Sequence, residues 1–114
     1  MTENEVVAAS AAAGQGNAPS VTPERVSDVI RATHTFKLGA ALRALGHPVD
    51  PAFDLLTICA LKLENGFIVT GESACASPEK FNAEIGSKLA YDDARRQIWR
   101  LEGYVLKSKL AECA

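Results

Sequence analysis

The sequence predicts an α+β fold: N-terminal helices, a central antiparallel β-hairpin with an Asn-Gly turn, and a long C-terminal helix, assembled as a homo-oligomer. Three observations carry this. Asn65-Gly66 sits between two apolar, β-prone runs. Two helix-start signals, Thr22-Pro23-Glu24 and Ser77-Pro78-Glu79, lie on either side of that hairpin. Apolar residues recur at helical spacing through the C-terminal third.

Residues 1–20 are rich in alanine, glycine and serine and contain no aromatic residue. Such a stretch buries too little apolar area to offset its ordering entropy and reads as a disordered tail. Residues 21–114 then form a single small α+β domain. Thr22 is a good N-cap, and Pro23 suits the first helical position, where no N–H is needed. Val26, Val29, Ile30 and Thr33 continue one apolar stripe, which predicts a helix running past Ile30. The stretch from Phe36 to Leu45 reads as a second short helix, ended by Gly46-His47-Pro48.

Leu55 to Leu63 and Ile68 to Ser73 are the hairpin strands. A two-residue type I′ turn at Asn65-Gly66 requires positive φ at both residues. That register places Leu63 opposite Ile68, Leu61 opposite Thr70 and Cys59 opposite Glu72. Lys62 with Val69 and Ala60 with Gly71 take the other face. Gly71 leaves room for another backbone, a helix or a ligand to approach closely. After Ser77-Pro78-Glu79, a helix carries Phe81, Ile85 and Leu89, then Ala94, Ile98, Leu101 and Val105, with a kink or break at Gly103. A hairpin alone is marginal, and this helix exposes more apolar surface than one copy covers, so self-association is expected.

Composition narrows the function. The chain has 114 residues, with 12 Lys+Arg against 14 Asp+Glu. A net charge of −2 gives no general attraction for nucleic acid or an anionic membrane. No apolar run reaches membrane-spanning length, and the start Met1-Thr2-Glu3-Asn4-Glu5 is unlike the basic start of a signal peptide. The three cysteines, Cys59, Cys75 and Cys113, form no C-x-x-C pair, and His34 and His47 show no metal-ligand spacing. No metal site, cofactor or catalytic residue is expected, and no enzyme. Cys75, ahead of a helix start, is the cysteine whose surroundings suit a reactive thiol, but no partner base accompanies it. The helix start after Ser73 is either an anion site or simply capped by Ser77. Arg95, Arg96 and Arg100 cluster by number, and guanidiniums one turn apart can hold phosphate oxygens. Tyr91 and Trp99 nearby can stack on a base or fill the core.

The run from Leu61 through Asn65-Gly66-Phe67 to Gly71-Glu72-Ser73-Ala74-Cys75, then Phe81-x-x-x-Ile85-Gly86 and Trp99-x-Leu101-x-Gly103-Tyr104, resembles the gene-66 family of small tailed-bacteriophage and prophage proteins. The resemblance covers roughly residues 55–110. Some members look like the Thoeris anti-defence proteins. Those are phage-encoded sponges that bind cyclic ADP-ribose isomers made by bacterial TIR-domain enzymes, some also holding cyclic oligonucleotides. They are oligomers built from dimers, with the nucleotide held uncleaved between subunits.

The resemblance implies a cyclic nucleotide ligand, a dimer or higher oligomer such as a hexamer, and action in the cytoplasm of the infected host. It makes Phe67 and Phe81 candidates for stacking, with Tyr91 beside them. Glu72, Ser73 and Asn82 are the candidates for polar contacts, and Arg95, Arg96 and Arg100 for phosphate. Phe81 is equally readable as a core residue. The family often has Asn at Asp93 and Pro at Arg100. Asp93 would weaken a phosphate contact yet could accept from a ribose or adenine donor. Residues 35–54 fall outside the resemblance. The alternatives are an inhibitor that binds a host protein directly, a nucleic-acid accessory factor disfavoured by charge, and an enzyme.

Overall fold

A computed structural model describes residues 18–113. The tail expectation falls mostly on residues 1–17, outside the described residues. The chain forms α1 (Pro23–Val29), β1 (Ile30–Lys37), α2 (Leu38–Ala44), a 3-10 turn (Pro51–Leu55), β2 (Leu56–Leu63), β3 (Ile68–Ala74), a second 3-10 turn (Pro78–Lys80) and α3 (Ala83–Cys113). The strands make one antiparallel sheet in the order β1-β2-β3. The fold is α+β, with α3 packed across one face of β2 and β3.

Thr22 caps α1 as its sequence implies, its side-chain oxygen accepting from Arg25 N–H at 3.1 Å. The helix then stops at Val29, short of its predicted length. Ile30 to Lys37 pair with Leu63 to Thr57 as a third strand, with a bulge between Ile30 and Ala32. The stripe Val26-Val29-Ile30-Thr33 fits a helix, but Ile30, Thr33 and Thr35 are β-branched, and β2 offers a full edge of backbone partners. Phe36 and Lys37, expected in the second helix, therefore belong to β1. That second helix survives as α2. It ends on Gly46 at φ 87°, where Gly46 N–H donates to Arg43 O and His47 N–H to Leu42 O.

The hairpin forms, but one residue out of the expected register. Leu61 pairs with Val69 and Cys59 with Gly71. Of Asn65 and Gly66, Gly66 alone has positive φ, at 89°. Gly66 N–H donates to Leu63 O, and Leu63 N–H to Phe67 O, both at 2.8 Å. The loop is thus three residues, Glu64 to Gly66, with glycine in the bulge position. Asn65 contributes through its side chain instead, accepting from Phe67 N–H at 3.0 Å. Because strand side chains alternate faces, the slip decides what is buried. Cys59, Leu61 and Leu63 of β2 face α3 together with Val69 and Gly71 of β3. Ile58, Lys62, Ile68 and Thr70 turn the other way.

The core joins these residues to Val26 and Val29 of α1 and to Ala90, Ala94 and Ile98 of α3. Gly71 is where the layers meet: a Cβ there would overlap the Ala94 nitrogen and the Ala90 carbonyl oxygen. The expected close approach at Gly71 is made by the α3 backbone. The free edge of β3 is closed by the same helix. Asp93 Oδ2 accepts from Glu72 N–H at 2.9 Å, and Gln97 Nε2 donates to Thr70 O. Two side chains one turn apart thereby satisfy an edge that would otherwise invite further pairing.

The start of α3 is also displaced from expectation. Ser77 makes no cap hydrogen bond and starts only a 3-10 turn. Asn82 caps the long helix, its Oδ1 accepting from Glu84 N–H at 2.9 Å and Ile85 N–H at 3.2 Å. The helix runs unbroken through Gly103 to Cys113, because a glycine on an exposed turn costs helix stability without forcing a kink.

Two glycine substitutions check this packing by urea unfolding. Gly71→Ala should destabilise the protein by about 2–3 kcal/mol, since the added methyl meets backbone that cannot rotate away. Gly103→Ala, with open space around its Cβ, should stabilise it by about 0.5–1 kcal/mol.

Candidate functional site

The N-terminus of α3 and the end of β3 enclose a cleft of about 290 Å³. Ser73 and Ala74 of β3 and Leu55 before β2 form one wall, and Phe81, Ile85 and Leu89 the other. Lys80 and Asn82 stand at its rim. The connection from β3 is pinned locally: Cys75 N–H donates to Leu55 O at 3.0 Å, and the Cys75 thiol to Ser77 O at 3.1 Å. Ser77 Oγ donates to the Glu79 carboxylate. That bond, helped by the Glu79 backbone N–H, holds the Glu79 carboxyl below its ordinary value.

The cleft is apolar in its walls and cationic near its aromatic ring. The Phe81 side chain is half-buried, and Lys37 Nζ of β1 lies 5.6 Å from the ring centroid. Lys80 adds a second positive charge beside it. Asn82 commits its side-chain oxygen to the helix cap, so its NH2 is the group able to donate to a ligand. The cleft itself offers an aromatic ring, amide and hydroxyl hydrogen bonds, and one ammonium group, that of Lys80.

Of the residues singled out from sequence, Ser73, Phe81 and Asn82 are brought together here. Glu72 and Asp93 lie at the free edge of β3, around a shallower hollow shared with Gln97. There the Asp93 carboxyl is held below the usual carboxylate range, first by the Glu72 N–H and then by Arg96, whose Nη2 lies 3.0 Å away. Phe67 is at the hairpin turn, at the opposite end of β3 from Ser73, and 56% exposed.

The three arginines do not form one cluster. Successive helix residues point about 100° apart, so Arg95 and Arg96 diverge. Arg95 is buried against α1, its Nη2 donating to Pro23 O and Ser27 Oγ, both at 3.0 Å. Its Nη1 lies 3.5 Å from the hydroxyl of Tyr91, which packs on the core. Arg96 and Arg100 are exposed. Lys37, Lys80 and Gln97 were not anticipated. Lys37 falls within the helix that the sequence predicts from Phe36 to Leu45, and a lone Lys or Gln on an unplaced helix face carries no signal. Among the described residues no group of His, Cys, Asp or Glu converges as a metal site, and no helix is long and apolar enough to cross a membrane.

The model of the Phage protein (N4 Gp49/phage Sf6 gene 66) family matches residues 21–110, nearly the whole described chain. The match includes residues 35–54, which the motif resemblance did not reach, so β1 and α2 are part of the family unit. No curated protein and no solved structure matches.

The Asp93 bond is testable by pH. A carboxyl with a lowered folded pKa stabilises fully above its unfolded value, about 3.9, and loses that stabilisation as pH falls through the folded value. Asp93→Asn keeps an acceptor for Glu72 N–H but cannot titrate. Wild type should therefore exceed the variant in stability at about pH 6, and the gap should close towards about pH 2.5. Urea unfolding across that range reads the gap directly. Asp54 and Glu64, also lowered by arginine partners, are present in both proteins and cancel.

Proposed function

We propose that this chain, which belongs to the phage family matched above, binds a cyclic nucleotide signal of bacterial immunity and holds it without cleaving it. The observation that carries the reading is the convergence of Ser73, Phe81 and Asn82 with Lys80 on one cleft. A base stacks on an aromatic ring, a ribose needs hydroxyl and amide partners, and a phosphate needs cations. Each is available there, and sequestration needs only binding.

The volume sets how such a ligand would sit. About 290 Å³ is at the small end for ligand pockets, enough for one nucleoside half of a cyclic dinucleotide or cyclic ADP-ribose isomer. The other half would lie against a second copy of the chain, beside the exposed Ile85 and Leu89 of the cleft wall. A homo-oligomer is thus part of the proposal, as is action in the cytoplasm of the infected cell, where such signals are made.

A second reading is favoured by the sheet face turned away from α3. There Phe36 is 40% and Ile68 53% exposed, which suits an inhibitor that docks directly on a host protein.

Calorimetric titration with cyclic ADP-ribose isomers and cyclic dinucleotides tests the first reading. Micromolar or tighter binding is expected, with intact nucleotide recovered after denaturation. Phe81→Ala should weaken it by about 1–3 kcal/mol, the usual worth of one base–aromatic stack, and Lys80→Glu should also weaken it. Absence of heat with every ligand would exclude this reading and leave the second. Recovery of a cleaved product would make the protein an enzyme.

A further inference from the structure

The second half of β1 is covered on neither face. Thr33 to Lys37 are exposed without a break, including Thr33, Thr35 and Lys37 on the side of the sheet that holds α3. In β2 that same side is buried at Thr57, Cys59, Leu61 and Leu63. The outer edge of β1 is open as well. Leu63 N–H donates to Phe67 O, so Leu63, and by alternation Leu61 and Cys59, direct their backbone groups to β3. Their β1 partners Thr33 and Thr35 therefore turn N–H and C=O away from β2. Asp93 and Gln97 close the corresponding edge of β3. Among the described residues no side chain closes the edge of β1 in that way.

We propose that a second copy of this chain pairs there, β1 against β1, antiparallel about a two-fold axis, so that two three-stranded sheets become one of six strands. Between Arg31 and Lys37 the run Ala32-Thr33-His34-Thr35-Phe36 contains no Pro, Gly, Asp, Glu, Lys or Arg, the residues that usually blunt an edge strand. The closed edge of β3 selects a second copy over an open-ended stack. Each chain offers one free edge, and pairing uses both, so growth stops at two. Charge selects the register. Arg31 opposite Lys37 would set like charges against each other. An axis through Thr33 places Arg31 opposite Thr35 and Ala32 opposite His34, and leaves Lys37 past the end of the paired strands. Thr33 then lies opposite its own counterpart, and their outward backbone groups exchange hydrogen bonds. The interface goes beyond the binding proposal, since the cleft sits at β3, across the sheet from this edge.

Sedimentation equilibrium and amide hydrogen exchange on the full-length protein, without ligand, test this. The protein should be a dimer whose Thr33 and Thr35 amides gain protection as concentration rises. Thr33→Lys and Thr33→Glu each oppose like charges across the axis, and each should weaken the dimer by about tenfold or more. An equimolar mixture of the two should restore it as a heterodimer. Thr33 is exposed, so both variants should keep the β2 amides protected. A monomer at every concentration, or a dimer that neither variant weakens, overturns the proposal. Protection of Thr33 and Thr35 that does not depend on concentration also overturns it, because the chain would then cover its own edge. No nucleotide enters these measurements, and calorimetry alone decides the binding reading, so the two can fail separately.

Discussion

The contact between Gly71 and the Ala90–Ala94 turn of α3 is the constraint on which the rest of the molecule depends. With no side chain at Gly71 and only methyls at Ala90 and Ala94, helix backbone lies directly on strand backbone. At that separation Asp93 and Gln97, flanking the contact on the helix, reach the outward N–H of Glu72 and C=O of Thr70. A larger residue at any of the three positions would lift the helix out of hydrogen-bonding range of the edge. Packing and edge closure are one event, since each requires the other's distance.

That placement fixes the candidate site. With α3 seated on β2 and β3, its N-terminus descends beside the end of β3, so that Phe81 and Asn82 meet Ser73. Because the helix packs mainly over β2 and β3, Lys37 on the same face of the sheet approaches the Phe81 ring. The other end of the helix overshoots: its 31 residues span roughly 46 Å, well beyond strands of eight residues. The overshoot leaves the distal stripe bare.

Besides the burial of Val26 and Val29 in the core, α1 is held by arginines. Buried Arg95 reaches the first turn of α1, and Arg25 bridges Glu102 of α3 and Glu64 of the hairpin loop. Such pairs are worth little each at the surface. A buried guanidinium left without its partners would be costly, however, so Arg95 fixes where α1 sits. This explains why the arginines that look like a phosphate cluster in sequence have divided roles. Arg95 faces inward against α1, while Arg96 balances Asp93.

Several features were legible in the residues themselves because they rest on interactions within a few positions. Thr22-Pro23 caps a helix, Gly46 ends one, Asn65-Gly66 reverses the chain, and a side chain as small as that of Gly71 invites another backbone. Ser73, Phe81 and Asn82 could be nominated from motifs, and the fold unites them. Tertiary structure decided the rest. Ile30 to Lys37 became a strand because β2 offered backbone partners that no local pattern reveals. The hairpin took the neighbouring register because only that register puts Leu61, Val69 and Gly71 together under α3. Asn82 rather than Ser77 became the cap, since the helix begins where it meets the sheet. Local chemistry determined where the chain turns, and burial, a property of the whole, determined which way each turn faces.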